Sequence, residues 1–309
     1  MPAKAAPPSS VCQRRFDMGW TPRARAISGL ALASVALVGL MGTTPAKAET
    51  ATAEPKRVVS MNLCTDQLAM LVAAPGQLIS VSYLARDPRS SAMAEEARAY
   101  PVNHGLAEQV YLLQPDLVIV GRYTTRATAD MLERLGTPVI RFDIARNMED
   151  VRTRIIEMGA ALGQEARAEA LVADFDAQLT ALRTAPAQRP RAALYFANGY
   201  TSGDNTLAGQ ILHAAGFANI ATELGYGAGG ILPLELLALS EPDALITGQR
   251  YGNTSRAEAI MDHPAIHALR QGRAQAPLTD HDWVCGTPHV LRAIAEITAL
   301  RGQIDAGGP

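Results

Sequence analysis

Only three cysteines occur in the 309-residue chain, at 12, 64 and 285, so a small scaffold stapled by many disulfides is excluded. Positive charge is not in surplus: 28 Lys+Arg stand against 30 Asp+Glu, a net of −2, without the electrostatic footprint of a nucleic-acid binder. Charged residues amount to 19% and aromatics to 5%, with 25 Gly and 19 Pro interspersed, which rules out a long coiled coil, a fibre or a low-complexity chain. What is plentiful is apolar residues, 48% of the total, enough for the core of one large domain or two ordinary ones.

Long apolar runs are missing beyond residue 42. The uncharged run 27–42 follows Arg23 and Arg25 and leads to Ala46-Lys47-Ala48, a small-x-small cleavage signature. It is shorter than the roughly 20 residues that span a bilayer and reads as an export signal, cleaved near Ala48. Arg14 and Arg15 hint at a twin-arginine route, although a start at Met18 would remove them. Loss of 1–48 takes away six basic residues and one acid, leaving 22 against 29, or −7. An acidic exported body of this kind suits a bacterial periplasm. Cys12 leaves with the signal, so Cys64 and Cys285 are the remaining cysteines.

Strand-like runs rich in branched residues lie at 57–61, 78–82, 117–120, 138–142, 192–197 and 244–247, alternating with helical stretches. Such alternation predicts α/β architecture with parallel sheets flanked by helices. A helical zone from 148 to 184 carries Leu171, Val172, Phe175, Leu179 and Leu182 as one apolar stripe, and Pro186 and Pro190 end it. An internal repeat divides the chain. Glu108 is followed by Pro115-Asp116, a buried strand and Gly121; Glu235 is followed by Pro242-Asp243, a buried strand and Gly248. The chain is therefore expected to form two Rossmann-like lobes, at 56–160 and 190–304, joined by one long interlobe helix at 164–185. Ligands of open α/β sheets sit beyond the carboxyl ends of the strands, so two facing lobes build a cleft from their strand-end turns.

These residues carry a resemblance. The run 57–61, Glu108 with Pro115-Asp116, Tyr200 to Gly203, Gly216 to Ile220, Glu235 with Pro242-Asp243, and Asp282-Trp283 before a terminal helix resemble, in order and spacing, the helix-linked periplasmic substrate-binding proteins of bacterial ABC importers. Such proteins serve cobalamin, ferric siderophores or haem, and the motif order is nearest to cobalamin-binding members. The resemblance covers about 56–302. It implies a stiff interlobe helix, a cleft for a bulky metal chelate, a monomer, and a permease and ATPase as partners. It also implies that Glu108 and Glu235 face basic residues of the permease, one per lobe.

The ligand candidates are the polar and aromatic groups of the strand-end turns: Tyr83, Arg122, Tyr123, Tyr200, Tyr226, Arg250, Tyr251, Asp282 and Trp283. A chelate with an apolar face and an anionic edge needs aromatic planes to stack on and arginines to pair with. Three tryptophans of the cobalamin-binding members fall at Val102, Gly121 and Gly229 here, which favours a ferric siderophore over cobalamin. Haem would need an axial Tyr or His, such as Tyr83 or His104. Cys64 and Cys285 both fall in turns bordering the cleft, as inert thiols, as a disulfide, or as thiolates for a soft metal, in that order. His281, Cys285 and His289 are four apart, but Gly286 and Pro288 break the helix that would align them on a metal. No bound cofactor is expected. An exported thiol enzyme built on Cys285, His281 and Asp282 is the remaining alternative; no Gly-x-Ser-x-Gly, phosphate loop or dinucleotide fingerprint supports an enzyme.

Overall fold

The computed structural model describes residues 54–183, 188–248, 256–271, 274–278 and 280–306. The expected leader 1–48, Arg250 and Tyr251 lie outside the described residues. The first half runs β1 (Val58–Ser60), α1 (Leu63–Val72), β2 (Leu78–Ser82), β3 (Val102–Asn103), α2 (Ala107–Leu112), β4 (Leu117–Gly121), α3 (Arg126–Arg134) and β5 (Val139–Phe142). Two long helices follow, α4 (Met148–Leu162) and α5 (Glu165–Leu182). The second half runs β6 (Arg191–Tyr195), β7 (Tyr200–Thr201), α6 (Leu207–Ala214), β8 (Ala218–Asn219), α7 (Ile220–Glu223), β9 (Gly230–Ile231), α8 (Leu234–Leu239), β10 (Ala244–Gly248), α9 (Pro264–Arg270), β11 (Ala274–Leu278), α10 (Asp280–Trp283) and α11 (Val290–Ala306).

The two main sheets are parallel throughout, in the orders β3-β2-β1-β4-β5 and β11-β10-β6-β8. Apart from the extra β3, they read alike: β2-β1-β4-β5 matches β8-β6-β10-β11. The repeat seen in the sequence is thus a repeat of topology. Both faces of each sheet are covered, and the alternation along each strand decides which residue goes where. In β1, Val58 joins the large core beneath α1, α4, α5 and α11, and Val59 joins a smaller cluster with Val110, Ala129 and Leu132 of α2 and α3. In β6, Leu194 goes to the large core, and Ala193 and Tyr195 go to a cluster with Leu237 and Ile266 of α8 and α9. The large core is continuous between the lobes: Ile155, Met158, Phe175 and Leu179 of α4 and α5 pack in the same cluster as Val58 and Leu194.

The helical zone of 148–184 is a pair of helices rather than one. Asn147 caps α4 by accepting from the Asp150 N–H at 2.8 Å, and Gly163 closes it in the left-handed conformation, φ 66°. The short strands β3, β7, β8 and β9 and the edge strand β11 are absent from the sequence expectation. Two residues leave no periodicity to read, and β11 contains Pro277, tolerated because, among the described residues, the strand pairs with β10 alone.

A similar device is built into both lobes. At the entrance to β1, the Lys56 and Arg57 N–H groups donate to Asp116 at 2.7 and 2.9 Å, and the Arg57 guanidinium donates to the Leu113 and Gln114 carbonyls that end α2. At the entrance to β6, the Arg191 N–H donates to Asp243 at 2.7 Å, and its guanidinium donates to the Ser240 carbonyl that ends α8. Gln114 and Glu241, the residues before each Pro-Asp, both take positive φ, 49° and 47°.

Candidate functional site

The order of the first sheet reverses between β1 and β4, and the groove of an open α/β sheet opens at such a point. Asn62 lies just beyond β1 there, Gly121 ends β4, and Arg122 follows it. Between them lies a 310 Å³ pocket bounded by Cys64, Phe142, Ala145 and Arg154 of the first lobe and by Val284 and Gly286 of the second. The pocket therefore lies between the lobes, as the strand-end turns predicted. It shares Arg122, Tyr123, Phe142 and Asp143 with a wider 630 Å³ depression that also holds Arg126 and Arg141.

Asn62 is placed by its own capping bond: its side-chain oxygen accepts the Cys64 N–H at 3.1 Å and starts α1. A Cβ added at Gly121 would come within 2.7 Å of that side chain. The glycine is the complement of Asn62, and no ring fits at this position while Asn62 stays. Gly286 makes the matching close approach between lobes, since a side chain there would strike Ala145.

Arginines dominate the electrostatics. Arg122 reaches Asp143 through two contacts of 3.0 and 3.1 Å, with about half of each side chain still open to solvent. The Ile144 N–H and then Arg122 hold the Asp143 carboxyl below the ordinary carboxylate range. Arg141 is tied to Asp130 at 2.9 Å and Glu133 at 3.2 Å. Arg154 pairs with Glu157 at 2.7 Å, while its buried Nε has no hydrogen-bond partner among the described residues. Polar groups that an anion would satisfy thus border a largely apolar pocket.

Among the described residues, two of the ligand candidates line this pocket and the others do not. Arg122 and Tyr123 line it, and Tyr123 is the most exposed tyrosine there. Tyr83, beyond the end of β2, stacks on His104, beyond the end of β3, with ring centres 5.4 Å apart. Tyr200 and Tyr226 belong to a second-lobe turn held by the antiparallel pairing of β7 with β9 and by the Gly229 N–H to Tyr226 carbonyl bond at 2.8 Å. Asp282 departs from the expectation of a cleft acid. It is buried and bound by Arg292 at 2.5 and 2.8 Å, with His281 3.4 Å away, an ion pair that fixes α10 to α11. Trp283 is half-buried and stacked on Phe196 at 5.0 Å. Its ring anchors the end of β6 rather than standing free. Glu108 and Glu235 are exposed, each in the first turn of α2 or α8.

Cys64 and Cys285 are joined, with Cα atoms 5.0 Å apart. The ranking of inert thiols first is corrected, because the lobes bring the two turns into contact. The bond also consumes the thiol that a soft-metal site or a nucleophilic Cys285 would need. Two residues beyond Cys64 in α1, Asp66 is fully buried. Desolvation pushes its carboxyl up to about 6 against hydrogen bonds from Ser82 and Ser60.

Phe142, Asp143, Arg154, Val284 and Gly286 line the pocket without being among the ligand candidates, and Asn62 does so from the strand-end turn 62–66 expected to border the cleft. Asn62 and Asp143 sit in strand-end turns, so the rule that selected Arg122 reaches them too. Arg154 lies on a helix whose pattern gives no sign of its cleft.

Residues 58–274 match the family model described as periplasmic binding protein. A cobalamin-binding protein of Halobacterium salinarum is 28% identical over 204 residues, 63% of this chain and 54% of that protein; the chain spans about half the length of the curated relatives it matches. A periplasmic heme-binding protein from Roseiflexus sp. RS-1 superposes with a TM-score of 0.67 at 21% identity, covering 81% of this chain and 98% of that one. The periplasmic vitamin B12 binding protein of Vibrio cholerae does so with a TM-score of 0.61 at 17% identity, covering 82% and 98%. With a paired-lobe α/β fold, a pocket at the strand ends between the lobes, and a family match over most of its length, the chain belongs to the periplasmic binding protein family.

Proposed function

We propose that the protein is the binding component of an ABC-type importer, capturing a bulky anionic metal chelate between its lobes and delivering it to a membrane permease driven by an ATPase. The observation that carries this reading is the arginine-bordered pocket at the β1–β4 switch point. It offers an apolar surface for the body of a chelate and Arg122 and Arg154 for its anionic edge. The relatives named for cobalamin and heme support the ligand class. Gly121, its side-chain space taken by Asn62, favours a ferric siderophore over cobalamin. The leader 1–48 delivers the chain to the periplasm, where it works as a monomer without enzymatic activity, and Glu108 and Glu235 dock it to the permease.

An absorption spectrum of protein purified from its native host tests the ligand class, because such chelates are coloured. Titration with cobalamin, haem and ferric hydroxamate and catecholate chelates follows, read by Trp283 fluorescence and thermal midpoint. A response to a ferric chelate is expected; no response to any of them at high micromolar concentration overturns the reading.

A second reading, haem, rests on one observation, the stacked pair Tyr83 and His104 at the strand ends. The Tyr83 phenolate oxygen or a His104 imidazole nitrogen would supply an axial ligand. It predicts a Soret shift on haem addition that Tyr83→Phe or His104→Ala removes.

A further inference from the structure

Single exposed leucines are ordinary on soluble proteins. A pair at equivalent places in two halves of matching topology is not explained that way. Leu112 is 78% exposed and Leu239 is 79% exposed, and each stands four residues, one helical turn, after its lobe's glutamate, Glu108 or Glu235. Leu236, 39% exposed, lies one turn before Leu239 on α8, and Tyr111, 45% exposed, is next to Leu112 on α2. Neither glutamate has an ion-pair partner among the described residues.

Similar arginine clamps pin the two helices, although Arg191 also pairs with Glu223 at 2.6 Å. Arg57 holds the Leu113 carbonyl and Arg191 the Ser240 carbonyl, each one residue beyond the leucine, and Asp116 and Asp243 lock the following strands. Each glutamate–leucine pair is therefore carried on a helix pinned at its carboxyl end, from which α2 enters β4 and α8 enters β10.

We infer that Leu112 and Leu239 are the apolar anchors of a two-point docking surface, and that its occupant is a membrane-embedded dimer presenting, on each subunit, a basic side chain beside an apolar depression. This rests on the proposed role as an importer component. Two bare carboxylates call for cations, and a repeated pattern of one charge and one leucine per lobe fits a partner with two-fold symmetry. Exposed ion pairs are weak and screened by salt, so the leucines supply the part of the contact that salt does not remove.

The test measures sedimentation of the full-length mature protein with inner-membrane vesicles of the native host at 50 and 500 mM NaCl, with a photo-reactive residue placed at 112 or at 239. Both positions are expected to crosslink the same polytopic membrane protein. Leu112→Ala and Leu239→Ala should each weaken vesicle binding about 10-fold, and the double variant about 100-fold, at both salt concentrations and with an unchanged melting temperature. Glu108→Ala with Glu235→Ala should weaken binding at 50 mM NaCl but little further at 500 mM. If the glutamate variant loses binding and the leucine variants keep it, the anchors are refuted and the importer reading stands. If neither set matters, docking through these helices is refuted altogether. Crosslinking of 112 to 239 of a second copy, with dimers in sedimentation, replaces the membrane partner by self-association and overturns the inference.

Discussion

Cys64, in the first turn of α1, is bonded to Cys285, in the loop before α11, so a covalent bond ties the two lobes together at the wall of the pocket. The bond closes a loop of 221 residues. On the chain-entropy account, a loop of that length limits the unfolded state by up to about 5 kcal/mol. Reduction, or the Cys64→Ala, Cys285→Ala pair, should therefore lower the denaturant midpoint substantially.

The same bond, together with the core shared across α4 and α5, restrains movement between the lobes. Scattering profiles of the oxidised protein with and without ligand should nearly coincide. In the double cysteine variant the two profiles should separate; a large contraction of the oxidised protein would contradict this picture.

Asp66 gives the stability a pH signature. Burial raises its folded-state value from 3.8 to about 6, so the folded protein holds a proton that the unfolded chain releases between those values. Its contribution is fully present below pH 4 and is lost as the pH rises through 6. Carrying the ionised carboxylate in this buried place costs roughly 3 kcal/mol at neutral pH. Asp66→Asn should therefore stabilise the protein at pH 7.5, with the gain vanishing near pH 4. Urea midpoints of the two proteins across that range check the sign; a constant offset would show that Asp66 does not titrate as described.

Much of this arrangement was legible in the sequence because strand cores and their terminators are local signals. Val58, Ile119, Leu194 and Ile246 lie in branched runs, and Pro115-Asp116 and Pro242-Asp243 mark the two strand entrances. What escaped depends on contacts between distant segments. Nothing near Cys64 names Cys285 as its partner. Asp282 reads as a cleft acid until Arg292, on the next helix, is seen to claim it. Arg154 resembles any helix-surface arginine, and only the approach of the second lobe places it beside a pocket.

The pair Arg122–Asp143 separates anionic from neutral ligands. Asp143 takes up part of the Arg122 charge and repels an approaching anion, and its own carboxyl is held ionised by the Ile144 N–H and Arg122. Asp143→Asn keeps an acceptor for the Ile144 N–H while removing the charge, so it frees Arg122 for the ligand. An anionic chelate should then bind about 3- to 10-fold more tightly, and Arg122→Ala should weaken it by a similar factor. Both effects should shrink between 50 and 500 mM NaCl, since these side chains are half exposed and the charges screened. Fluorescence titration of the three proteins at the two salt concentrations provides the measurement. A ligand indifferent to both substitutions is neutral at its contact with β4, and the anionic-edge assignment to Arg122 fails.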